Sequence, residues 1–109
     1  MRVSACHCLS CKRRSGSAFS WNAHFEAAKV TAKGEARSWA RISDEGRWAT
    51  FHFCPTCGAT VHYEIEARPG IVSVPAGGFA DPHFPAPSVS VYGNRTCAWV
   101  SLPDDIEEY

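Results

Sequence analysis

The clearest periodicity in the chain runs from Trp48 to Phe53, where Ala49, Phe51 and Phe53 alternate with Trp48, Thr50 and His52. A two-residue period rich in aromatic side chains predicts a strand. After Cys54-Pro55-Thr56-Cys57-Gly58 the alternation resumes over residues 60–66. Val61, Tyr63 and Ile65 are expected on the core face, and Thr60, His62, Glu64 and Glu66 on the other. The two runs predict a hairpin with the cysteine-bearing turn at its tip and His52 and His62 on facing strands. Residues 36–42 predict another strand, joined to the hairpin by Ser43-Asp44-Glu45-Gly46. Residues 71–74 and 88–92 predict two short ones. Between them, Pro75, Gly77, Gly78, Pro82, Pro85 and Pro87 exclude a regular helix and predict an ordered loop. Helix is confined to single turns at 9–14 and 104–109. The expectation is a mainly β, largely antiparallel domain over residues 1–109.

Composition narrows the function classes. A chain of 109 residues with 45% hydrophobic residues suits one modest core, to which a metal would add stability. Eleven basic and eleven acidic residues cancel, which removes the broad positive field that duplex binding needs, so no nucleic-acid partner is expected. No apolar run is long enough to span a membrane, and Cys6 arrives before any signal sequence could form. A cytoplasmic setting is therefore expected. Six cysteines in a reducing compartment point to metal or redox chemistry before disulfides.

Two cysteine motifs carry the chemistry. In Cys6-His7-Cys8-Leu9-Ser10-Cys11, an extended start puts Cys6 and Cys8 on one face, and a turn after Cys8 can bring Cys11 to the same point. Three thiolates hold one zinc with its fourth position open, the arrangement of catalytic zinc. Cys54-Pro55-Thr56-Cys57-Gly58 is a zinc-knuckle sequence that supplies half of a tetrahedral site, with Gly58 suited to the positive φ of such a turn. The weaker alternatives are disulfides, a thioredoxin-like redox pair and buried inert thiols, the reading that suits Cys97. His7 alternates away from the ligand face and reads as a hydrogen-bonded structural residue. Lys12-Arg13-Arg14 reads as a solvated basic run, with an anion clamp as the alternative. His52 and His62 read as sheet histidines with proton transfer as the alternative. His24 and His83 carry no signal.

Ala5-Cys6-His7-Cys8-Leu9-Ser10-Cys11-Lys12-Arg13-Arg14-Ser15-Gly16-Ser17-Ala18-Phe19 and Phe53-Cys54-Pro55-Thr56-Cys57-Gly58 together resemble the glutathione-dependent formaldehyde-activating enzyme family (centromere protein V-like). The resemblance runs on through the Pro/Gly loop to Ala98-Trp99. It implies small antiparallel sheets in an Mss4-like zinc-binding fold. It implies two zinc sites, with Cys6, Cys8 and Cys11 catalytic and Cys54 and Cys57 structural. It also implies a carbon–sulfur lyase that forms S-hydroxymethylglutathione from a small thiol, glutathione, and a small aldehyde, formaldehyde. Family members usually carry an earlier C-x-C-G and a strand. Here only five residues precede Cys6, so the domain is expected to be N-terminally shortened, either by a start assigned too late in the coding sequence or as a naturally shorter member. Cys54 and Cys57 then bind no metal, complete their site with water, or recruit the first cluster into one closed four-sulfur site. The edge left by a missing strand predicts a homodimer. A zinc-stabilised, non-catalytic binding or scaffold module is the competing reading, and a thiol-redox protein the third.

Overall fold

Short alternating runs do become strands, and they join into one sheet. The computed structural model describes residues 1–43 and 45–109. Along the chain come β1 (Arg2–Cys6), α1 (Leu9–Ser15), β2 (Ser20–Glu26), β3 (Arg37–Ile42), β4 (Trp48–Phe53), β5 (Thr60–Ile65), β6 (Ile71–Pro75), β7 (Val89–Val91) and β8 (Glu107–Glu108). Among the described residues these eight strands form a single sheet in the order β3-β4-β5-β6-β2-β1-β7-β8. The pairings are antiparallel except for β1 with β7 and β7 with β8. The mainly β expectation holds, but the strands make one mixed sheet where small antiparallel ones were expected. Of the expected turn at 43–46, Asp44 lies outside the described residues.

The ladder is thinnest at one seam, where β5 and β6 lie side by side but pair at a single position, Tyr63 with Ser73. On one side of that seam lie β3, β4 and β5, and on the other the strands built around β1 and β2. Side chains alternate along each strand, so Arg2, Ser4 and Cys6 share one face with Asn22, His24, Ala49, Phe51, Tyr63 and Ile65, and these residues line one cleft. The other face of β2 is covered by the loop at 75–87. Phe84 meets Trp21 edge-on at 5.6 Å and stacks on Phe79 at 4.8 Å, and the Trp21 indole N–H donates to the Pro85 carbonyl at 3.2 Å. The expected ordered loop is therefore a lid on the sheet, with one 3-10 turn at Ala76–Phe79.

Three differences have physical causes. Val61 is 47% exposed, although Tyr63 on the same strand is buried. The ladder shifts between His52 and Phe53, so Phe53 pairs with Thr60, His52 pairs with His62, and Val61 is left over in a β-bulge. Within residues 104–109, where a helical turn was expected, Glu107–Glu108 form strand β8, because Glu107 N–H and Tyr109 N–H donate to Ser88 and Ser90 carbonyls. β2 had no counterpart in the expected elements. Its sequence, SWNAHFE, places Ala23 and Asn22 in full burial between β1 and β6, so both of its faces are covered and no apolar alternation marks it.

Phe51 is the largest fully buried side chain. It is stacked on Trp39 at 5.4 Å and packed against Tyr63 at 5.1 Å. Because its ring joins β3, β4 and β5, Phe51→Ala is expected to cost about 3–5 kcal/mol, read as a lowered urea midpoint with an unchanged slope.

Candidate metal centre and cleft

Local sequence builds the cysteine cluster. β1 delivers Cys6 at its end. Cys8 follows in extended backbone (φ −64°, ψ 153°) as the N-cap of α1, and its sulfur accepts the Cys11 N–H at 3.3 Å. One turn of helix then returns Cys11 to the level of Cys6. Gly16 closes α1 in the left-handed conformation at φ 64°, donating to the Lys12 carbonyl at 2.8 Å. The three sulfurs lie within 4.8 Å of one another, with Cys11 buried and Cys6 and Cys8 half-buried as whole residues. All six cysteines of the chain are free thiols.

The cluster holds its charge unevenly. Hydrogen bonds from Cys6 and Cys8, with further help from the Ser20 hydroxyl and the Arg14 guanidinium, hold the Cys11 thiol far below its ordinary range. The same contacts to Cys11 and Cys8, together with burial, push the Cys6 thiol far up. The contacts thus favour the thiolate at Cys11 and the neutral thiol at Cys6, because more negative charge in one place is unfavourable. A divalent cation removes that obstacle. The donor set of three soft sulfurs fits zinc.

The second cysteine pair sits apart. Cys54 N–H bonds to the Ala59 carbonyl at 2.9 Å and Gly58 N–H to the Cys54 carbonyl at 2.8 Å, with Gly58 at φ 79°. Backbone N–H groups of Cys57 and Thr56 aimed at the Cys54 sulfur lower its pKa, as does the Cys57 thiol. The turn thus has the shape of a knuckle, with Cys57 exposed. Among the described residues neither sulfur joins Cys6, Cys8 and Cys11, so the structure does not bring the two motifs into one four-sulfur group.

The first cluster opens into a cleft of about 850 Å³ on one face of the sheet. Every arginine of the chain except Arg37 lines it, against Glu45 as the one acidic residue among its described lining residues. A formally neutral chain thus concentrates positive charge at one place. The solvated reading of Lys12-Arg13-Arg14 holds for Arg13, which is exposed, and is corrected for Lys12 and Arg14. Lys12 donates to the Arg95 carbonyl and to the Cys97 sulfur, and Arg14 lies 4.7 Å over the Phe51 ring and 5.4 Å over Tyr63. Arg41 approaches Phe51 too, at 5.5 Å. Arg14 Nε and Nη2 are buried and have no hydrogen-bond partner within the protein, which suits an anionic guest. Tyr63, with its pKa raised by burial and by the Cys11 thiolate, stays a neutral phenol on the cleft floor.

The family model described as glutathione-dependent formaldehyde-activating enzyme covers residues 1–95. The chain belongs to that family. Membership supports a glutathione-related, formaldehyde-activating function, and Cys6, Cys8 and Cys11 are a group that could hold a metal ion. A comparison with curated proteins gives no match. No helix among the described residues is long and apolar enough to cross a membrane.

Two histidines differ from their expected roles. His7 is fully buried against Phe19, at 5.5 Å, and neither ring nitrogen has a partner within the protein, where a hydrogen-bonded residue was expected. His24, which carried no signal, lines the cleft and ties three strands together. Ser4 Oγ lies 2.7 Å from Nε2 and Ser73 Oγ 2.6 Å from Nδ1. Only the sheet order, with β2 between β1 and β6, makes that possible. Burial, helped by Arg68 and Arg2, lowers the His24 pKa from 6.5 to about 4. The unfolded chain therefore binds this proton more readily. The His24 contribution to stability is full above pH 6.5 and is lost as pH falls toward 4. His24→Gln is expected to flatten the loss of stability over that window, measured by urea unfolding at a series of pH values. An unchanged profile would contradict the assignment.

Proposed function

We propose that the protein joins glutathione, or a closely similar small thiol, to formaldehyde or a comparable small aldehyde, as a zinc-dependent carbon–sulfur lyase. The observation that carries this reading is the convergence of Cys6, Cys8 and Cys11 within 4.8 Å at the wall of a cleft lined with arginines. The thiol sulfur adds to the carbonyl carbon, the carbonyl electron pair moves to oxygen, and the proton released by the thiol ends there. The product is S-hydroxymethylglutathione, and the reverse step breaks the same carbon–sulfur bond.

Cys6, Cys8 and Cys11 would hold the zinc. When bound, zinc supplies a positive charge that favours the thiolate form of a nearby thiol. The remaining work falls to the chain itself. Arg14 balances the negative charge of the sulfur cluster, and its guanidinium, with two unpartnered N–H groups, lies over the Phe51 and Tyr63 rings. Arg41 and its neighbours offer charged donors to the carboxylates of glutathione, so that proximity and orientation provide most of the acceleration. Three donating sulfurs make zinc a weak Lewis acid, which is a further reason for positioning to dominate. Cys54 and Cys57 are read as the structural pair. Free thiols throughout suit a reducing, cytoplasmic setting.

Two measurements test this. Cys11→Ser is expected to lower bound zinc and the rate of S-hydroxymethylglutathione formation above background together. Lost zinc with an unchanged rate contradicts the mechanism, and a full complement of zinc with no activity in the unmodified chain favours the scaffold module. Arg41→Ala, if Arg41 grips a carboxylate, is expected to raise KM for glutathione about tenfold with kcat little changed. A KM unaffected by the substitution removes Arg41 from the binding set.

A further inference from the structure

The outer face of the β4–β5 hairpin carries a second group of donor atoms, on the side of the sheet away from the cysteine cleft. His52 and His62 are direct cross-strand partners, and their rings stack with centroids 4.3 Å apart and planes 18° apart. Glu64 follows two positions after His62 and so shares its face. Its carboxylate spans the pair. Oε2 is 2.6 Å from His52 Nε2, and Oε1 is 4.0 Å from His62 Nε2. The three ligand atoms lie within 4.8 Å of one another. The β-bulge beside His52 fixes the register that sets this arrangement.

Hydrogen bonding alone leaves the group incomplete. His52 and Glu64 satisfy each other, but 4.0 Å is too long for a hydrogen bond from His62. Two imidazoles held face to face with a carboxylate at their Nε2 edge leave one point that all three can reach. A cation there would serve His62 as Glu64 serves His52. Two nitrogens and one carboxylate oxygen suit a borderline divalent ion, whereas calcium and magnesium prefer an all-oxygen shell. The side chains are partly exposed, at 26%, 17% and 36%, so an ion can enter and water can complete its coordination.

We propose that His52, His62 and Glu64 form a second binding site for a zinc-like divalent cation, separate from both cysteine motifs. The test is a zinc titration of the full chain, followed by heat and by the ring-proton NMR signals of its five histidines. The proposal expects the His52 and His62 rings to shift together as a further equivalent binds beyond the cysteines. Glu64→Gln should weaken that phase about tenfold or more, and His62→Asn should remove it, with cysteine-bound zinc retained. Rings that stay unmoved in excess zinc overturn the proposal. So does a shift of His52 without His62, which would mark zinc at the adjacent Cys54–Cys57 turn. Undiminished binding in a folded Glu64→Gln chain overturns it as well. The ring shifts in the unsubstituted chain decide the matter if either variant fails to fold.

Discussion

Three sulfurs within 4.8 Å of one another set a charge problem that the rest of the structure answers. The Cys11 thiolate is stabilised there by its sulfur neighbours, by Ser20 and by Arg14, while the Cys6 thiol is pushed toward its neutral form. The problem arises from backbone geometry. β1 ends, Cys8 caps a short helix, and Cys11 returns one turn later, so the sulfurs converge whether or not their charges are compensated. A divalent cation on the sulfurs, and cationic side chains around them, are the two compensations available.

The arrangement of charge in the fold reflects that constraint. The protein is neutral as a whole, yet its arginines gather at one cleft while most acidic residues lie elsewhere. Arg14 and Arg41 also cover the aromatic floor made by Phe51 and Tyr63, so the same groups that raise the local potential seal the core of β3, β4 and β5. A thiol with carboxylates would meet an attractive field and a ready set of donors there.

Much of this was legible in the residues. The β4–β5 hairpin, its knuckle and α1 follow from alternation and from cysteine spacing, and the family from the two motifs together. β2 was not legible, because a strand buried on both faces with Ser20, Asn22 and Ala23 lacks the apolar signature of a core strand. Val61 misled because a bulge moves a residue without changing the sequence period. The cleft escaped notice for a different reason. Arg2, Arg41, Arg68 and Arg95 are scattered along the chain, and only the sheet order assembles them, so composition showed a cancelled charge where the fold shows a separated one. His24 belongs to the same class, since its partners Ser4 and Ser73 come from two other strands.

The account rests on a zinc ion held by the first cysteine cluster with room for one more sulfur. X-ray absorption at the zinc edge, on the chain carrying a single equivalent and recorded with and without glutathione, addresses this directly. Three sulfur neighbours and one light atom alone, becoming four sulfurs with glutathione, is the predicted result. Four sulfurs before glutathione is added, or a light-atom shell that glutathione leaves unchanged, would contradict it.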